Sequence, residues 1–152
     1  MPPALQIRRL TAADIDLLRS LNALFAEAFE DAQTYLGAPP DETYCREVVG
    51  KDYVIVLVAL REGTVVGGLV AYELYKLERA RSEIYIYDLA VDEAARRQRI
   101  ATALIERLRV IAYERGAWAV FVQADVGDDA AIGLYDKLGV REAVLHFDFP
   151  VP

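Results

Sequence analysis

The chain has 152 residues, 55% of them hydrophobic and 27% charged, with a net charge of −7 and one cysteine. That length and apolar content suit a single domain spanning 1–152 and exclude a disordered chain. The lone Cys45 excludes an intrachain disulfide and a cysteine-cluster metal site, and the acidic balance disfavours nucleic acid, whose phosphates need basic surface.

The N-terminal "MPPALQIRRL" lacks the apolar core of a signal peptide, and the longest apolar run, "YVIVLVAL", is far short of a membrane span. A soluble, cytoplasmic protein without metal or membrane partner is expected. "LQIRRL" reads as a first strand. Thr11 and Asp14 have the spacing of a capping box, ahead of a helix whose apolar face is Ile15, Leu18, Leu21, Leu24, Phe25, Ala28 and Phe29. "DAQTYLGAPPD" is loop-like, and "ETYCREVV" predicts a second short helix. "YVIVLVALREGTVVGGLVAYELYKL" predicts two strands around Glu62-Gly63-Thr64, and "SEIYIYDLAV" predicts another. After an arginine-rich turn, a helix runs from about Ile100 to Arg115 and stops at Gly116. "AWAVFVQAD" follows as a strand, "DDAAIGLYDKLG" as a helix and "VREAVLHFDFP" as a last strand. The order β-α-α-β-β-β-α-β-α-β predicts an α/β fold around a mixed sheet.

The turn "VDEAARRQRIATALI" carries the first chemical signal. A strand entering a helix leaves amide N–H groups unpaired at the helix start, where they bind phosphate oxygens with help from the helix dipole. Arg96, Arg97 and Arg99 add positive charge beside Gln98 and Ile100; Ala101 permits close approach and Thr102 offers a hydroxyl. The same spacing also describes a solvated basic turn ahead of an amphipathic helix.

"LAVDEAARRQRIATALI" resembles the pyrophosphate loop of the GNAT N-acetyltransferases, whose pattern is Gln/Arg, two residues, Gly, one residue, Gly/Ala. Arg96 and Ala101 match its ends, and Arg99 replaces the middle glycine. Arginine fits there if position 99 has φ < 0; a left-handed backbone would favour glycine. "DDAAIGLYDKLGV" resembles the second signature of that superfamily. "SEIYIYDLAV", "IATALI", "VQADVGDDAA" and "LHFDF" are similar, more narrowly, to the type I aminoglycoside 3-N-acetyltransferases, which act in antibiotic resistance. The resemblance covers essentially the whole chain. It implies the GNAT acyltransferase fold, acetyl-CoA as cosubstrate, and direct transfer to an amine of a cationic aminoglycoside.

By the same resemblance, the pantetheine arm lies along the backbone of Leu89, Ala90 and Val91, with Leu89 polarising the thioester carbonyl. Tyr135 matches the tyrosine that protonates the CoA sulfur, although its helical spacing also suits a core residue. Asp128 matches a cofactor-contacting Asn/Asp and is equally a helix N-cap. A carboxylate must accept the proton of the amine, because aliphatic amines titrate near pH ~10. Glu83 is the first choice of base and Asp88 its competitor. An unbroken strand puts Glu83, Tyr85, Tyr87 and Leu89 on one face, and Ile84, Ile86, Asp88 and Ala90 on the other. Cys45, in a helix remote from these blocks, makes an acyl-enzyme unattractive.

A polycationic acceptor calls for carboxylates and tyrosines around its cleft. Asp31 and Tyr35 are wall residues by resemblance; Asp125, Asp148 and the lone histidine, His146, complete the set, although His146 also fits a structural place in an alternating strand. Homodimers are common in the superfamily, and the apolar C-terminal strand could support one. A polyamine or protein-amine acetyltransferase would share the cofactor site, and a non-catalytic acyl-CoA-binding module would need neither Tyr135 nor a base. A nucleotide loop is disfavoured, because neither Gly-Lys-Ser/Thr nor Gly-x-Gly-x-x-Gly is present.

Overall fold

The computed structural model describes residues 3–152. In chain order the elements are β1 (Leu5–Arg9), α1 (Ile15–Ala28), α2 (Ala32–Leu36), α3 (Glu42–Val49), β2 (Val54–Arg61), β3 (Thr64–Tyr75) and β4 (Ser82–Val91). A single 3-10 turn (Glu93–Ala95), α4 (Ile100–Glu114), β5 (Ala117–Val122) and α5 (Asp129–Leu138) complete the chain. The sheet has five strands in the order β1-β2-β3-β4-β5. The first four are antiparallel to their neighbours and β5 is parallel to β4, so the sheet is mixed as expected.

The continuous apolar run of β2 is buried on both faces, as a strand covered by helices on either side should be. Ile55, Leu57 and Ala59 join the α4 core with Leu104 and Leu108, while Val54, Val56, Val58 and Leu60 join Leu21 and Phe25 of α1. The β2–β3 hairpin turns on Glu62 (φ +49°) and Gly63 (φ +78°), two positive φ values of the kind a type I′ turn needs. On β3, Gly68 lets α1 sit directly on the sheet; a Cβ there would lie 2.5 Å from Leu21 Cδ1 and 2.7 Å from the Leu57 carbonyl oxygen.

Three local expectations change. The helix cap is Asp14 rather than Thr11: the Asp14 carboxylate turns back to accept the Thr11 backbone N–H at 2.7 Å, so the helix begins three residues later than a Thr11 cap implies. The "DAQTYLGAPPD" loop contains the short helix α2, because the Asp31 carboxylate accepts the Thr34 N–H at 3.1 Å and starts a turn. The last predicted strand does not form: residues 140–152 have no secondary structure and are exposed throughout.

Two irregularities of β4 shape everything downstream. A β-bulge opposite Val70/Ala71 pairs Val70 with Asp88 and Ala71 with Ile86, leaving Tyr87 as the extra residue. Pairing with β5 also stops at Ile86–Val122, whereas β4 continues to Val91. The two parallel strands therefore diverge, and the last four residues of β4, 88–91, are paired to β3 alone.

Candidate active site

The bulge overturns the expected strand parity. Ile84 and Ile86 face the α4 core, and after Tyr87 the alternation restarts in the opposite phase, so Leu89 and Val91 also face α4. Ala90 packs with the α1 side, and Asp88 turns to the same side, against α2. Asp88 thus shares a face with Glu83 and Tyr85 instead of opposing them. An inserted residue shifts a period-two pattern by one, and an alternation count cannot register it.

Asp88 Oδ1 accepts the Tyr35 hydroxyl at 2.7 Å. Tyr35 is held by its ring, 5.7 Å from Phe25 and 5.6 Å from Phe29, centroid to centroid. Burial pushes the Asp88 carboxyl above the usual aspartate value, and the Tyr35 hydrogen bond pulls partly against that rise. Tyr35 itself is raised by burial and by its bond to Asp88, so its phenol stays protonated. Asp88 opens on a cleft of about 200 Å3 lined by Asn22, Pro40, Tyr44, Cys45 and Tyr72. An aromatic wall extends it: Tyr87 lies 6.0 Å from Tyr72 and 5.5 Å from Tyr85, and Tyr85 stacks on Phe121 at 4.7 Å. Tyr72, Tyr85 and Tyr87 carry phenol oxygens on apolar rings, which suits a sugar-like or amine ligand.

Glu83 has a different setting. Its Oε1 accepts the Trp118 indole N–H at 3.0 Å, and its Oε2 lies 3.9 Å from Lys76 Nζ. Two partners already hold that carboxylate. Cys45 is the surprise: remote in sequence from the signature blocks, it is buried and lines the same cleft as Asp88. Its Sγ faces the Pro40 carbonyl oxygen at 3.9 Å.

At the other end of β4, Arg96 is extended and Arg97 (φ +64°) and Arg99 (φ +61°, ψ +25°) are left-handed, with Arg99 at the N-cap of α4. The condition that would make arginine comfortable at position 99 is therefore not met. The loop keeps the backbone shape of a glycine at a cost of about 1–2 kcal/mol. Arg96, Arg97 and Arg99 are exposed and, among the described residues, form no ion pair. Gln98 accepts a hydrogen bond from Arg61 at the end of β2, which ties the loop to the hairpin. Ile100 is buried under the loop, and Ala101 and Thr102 occupy the first turn of α4.

These residues fit a phosphate-bearing cofactor with an amide arm. Three unpaired cations ring a helix start, and the Leu89–Val91 backbone lies along the gap where β5 has diverged. Asp128 is the N-cap of α5, its Oδ1 accepting the Ala131 N–H at 3.3 Å. Tyr135, on the same helix, packs against the α4 core, and burial raises its phenol. Among the described residues no group of His, Cys, Asp or Glu is placed to hold a metal, and no helix is long and apolar enough to cross a membrane.

The other acceptor residues are dispersed. Asp31 caps α2 next to Tyr35. Asp125 is exposed in the β5–α5 turn, where its carbonyl oxygen accepts the Asp128 N–H at 3.1 Å. His146 and Asp148 bond only each other, at 2.8 Å, in the exposed C-terminal segment. Sequence reasoning missed Tyr72 and Tyr44 as cleft residues. Tyr72 falls on the Asp88 face through the β3–β4 register, and Tyr44 arrives on a separate helix without any local mark.

The acetyltransferase (GNAT) family model matches residues 17–140. An aminoglycoside acetyltransferase from an uncultured soil metagenomic sample is 53% identical, over 98% of this chain and 99% of its own, with a TM-score of 0.96. A second aminoglycoside acetyltransferase from such a sample, solved in complex with sisomicin, is 34% identical over 97% of each chain, with a TM-score of 0.91. A ribosomal-protein-alanine N-acetyltransferase from Brucella melitensis biovar Abortus 2308, 21% identical over 98% of this chain and 100% of its own at a TM-score of 0.76, shares the fold. No curated protein sequence matches the chain.

Proposed function

The chain belongs to the acetyltransferase (GNAT) family, and from that premise we propose that it transfers acetyl from acetyl-CoA to the 3-amino group of a 2-deoxystreptamine aminoglycoside, as an antibiotic-resistance enzyme. That it is an acetyltransferase follows from the family. The observation that carries the substrate class is the 53% identity, over nearly both full lengths, to an aminoglycoside acetyltransferase. The half-buried Asp88 among tyrosines supports the same reading, since it offers a polycationic sugar one anion and several hydrogen-bonding rings.

Acetyl-CoA supplies the acetyl group activated as a thioester. Arg96 to Thr102 bind its pyrophosphate through helix-start amides and flanking arginines, the Leu89–Val91 backbone aligns its arm, and Asp128 closes the site from α5. Asp88, oriented by Tyr35, takes the proton of the acceptor amine so that nitrogen can attack. The Leu89 backbone N–H faces the charge that develops on the carbonyl oxygen. Tyr135, kept protonated by burial, donates its proton to the departing sulfur. We place the base at Asp88 rather than Glu83 because Glu83 is already engaged by Trp118 and Lys76. Asp31, Tyr35 and Asp125 line the acceptor path.

Thiol release from acetyl-CoA with sisomicin, gentamicin, spermidine or a lysine peptide as acceptor tests the reading. Turnover with the aminoglycosides supports it. Turnover confined to spermidine or the peptide discards the antibiotic and keeps the family.

A further inference from the structure

Half of the lining of the cleft beside Asp88 is unsuited to a sugar. Val54 and Val56 of β2 and Val70 of β3 lie on its sheet side, and Leu18 of α1 and Val48 and Val49 of α3 face them. None of these side chains can hydrogen-bond a hydroxyl or an ammonium, and a polar group placed against them gives up its water without compensation. Among the described residues, Asp88 is the one charged side chain lining the cleft. The sheet register explains how the anion meets the aliphatic surface. Asp88 pairs with Val70 and Val70 with Val56, so the three stand in one row across adjacent strands, beside the Tyr72–Val54 pair. Neighbouring strands are ~4.8 Å apart, so the row runs about 10 Å from the carboxylate to its apolar end.

One anion at the head of an aliphatic row matches one ammonium at the head of an apolar arm. We propose that the chain has a second class of acceptor, small primary alkylamines, bound with the ammonium at Asp88 and the arm laid over Val70 and Val56. The inference rests on the reading of Asp88 as the base and goes beyond the aminoglycoside, whose hydroxyls and further ammonium groups find no partner on the valines. Asp88 takes a proton from the ammonium, and the nitrogen attacks the thioester carbonyl carbon. An N–C bond forms as the C–S bond breaks. The second proton lost by nitrogen balances the one Tyr135 gives to sulfur, so the products are the N-alkylacetamide, the CoA thiol and one proton.

Thiol release from acetyl-CoA with ethylamine, butylamine, hexylamine and hexamethylenediamine, each beside sisomicin, tests the inference. The three monoamines differ in arm length and hardly in basicity. Their kcat/KM should rise about fourfold for each added methylene, the gain from burying it. Hexamethylenediamine has the same arm as hexylamine but ends it in a charge, and should fall back toward ethylamine. Val70→Thr, of the same shape with a hydroxyl, should cut the hexylamine-to-ethylamine ratio several-fold; if it does not fold, the wild-type series decides alone. A flat series, a diamine used as well as hexylamine, or hexylamine turnover retained in Asp88→Asn overturns the inference, whether or not sisomicin is acetylated. A rise along the series without sisomicin turnover supports it and overturns the aminoglycoside reading alone.

Discussion

Asp88 is one half-buried carboxylate with one donor, the Tyr35 hydroxyl at 2.7 Å, and its environment sets the pH behaviour. As the proposed base, Asp88 must be ionised, so turnover should fall as pH drops through its pKa, which burial places above the ordinary aspartate value. Tyr35→Phe removes the bond that restrains that rise, so the acid limb of kcat/KM should move to higher pH in this variant. Asp88→Asn should lower kcat by about 100-fold or more, while Glu83→Gln stays within a few-fold. Loss of activity here is not loss of fold. Because the folded pKa of Asp88 is raised, the stability it contributes is present below the unfolded pKa and is lost as pH rises through the folded one. Asp88→Asn should therefore melt at or above the wild-type temperature at neutral pH. At Arg99 the left-handed backbone makes a separate prediction. Arg99→Gly should stabilise the chain by about 1 kcal/mol through strain relief, while its CoA affinity in calorimetric titration should weaken, because one of the loop's three cations is gone. Much tighter binding by the glycine variant would mean that the arginine side chain obstructs the loop.

At the scale of elements, β4 decides where chemistry can occur. Its bulge brings Asp88 round to the Tyr35 side, and its divergence from β5 frees the Leu89–Val91 backbone. Neither is legible from alternation: the pattern "SEIYIYDLAV" identifies a strand, but an extra residue is fixed by pairing with β3. The helix starts were legible for α3, α4 and α5, whereas Asp31 caps a helix in a segment that reads as loop, and α1 begins from Asp14 rather than Thr11. The far end of β4 is anchored by a buried network. Glu73 accepts the Ser82 hydroxyl at 2.6 Å and Arg115 Nε at 2.9 Å, which fastens the end of α4 to β3 and β4. Burial raises the Glu73 carboxyl, but Arg115 and Ser82 outweigh it and hold the pKa below its usual value. The stability this contributes is present above the unfolded pKa and is lost as pH falls through the folded one. Arg115→Met leaves that carboxylate buried without its cation, and chemical denaturation at neutral pH should show a loss of about 3–5 kcal/mol.

Over the whole molecule, the mixed sheet and the element order from β2 to α5 followed from hydrophobic periodicity because most of these elements are long, strongly patterned and bounded by Gly, Pro or a capping aspartate. The C-terminal segment broke the rule in an informative way. Its patterning is that of a strand, but strand formation needs a partner edge, and period-two patterning does not provide one. The cleft was legible only in part, since Asn22, Tyr44, Tyr72 and Cys45 converge from α1, α3 and β3 through tertiary packing. A net charge of −7, with three arginines at one helix start that form no ion pair among the described residues, fits the proposed division between a phosphate-bearing cosubstrate and a cationic acceptor. The most direct test of that division of labour is the structure of the product, determined by NMR after incubating the protein with acetyl-CoA and sisomicin. The expected product is sisomicin carrying one acetyl group on its 3-amino nitrogen. Sisomicin recovered unmodified from protein that binds CoA would contradict it.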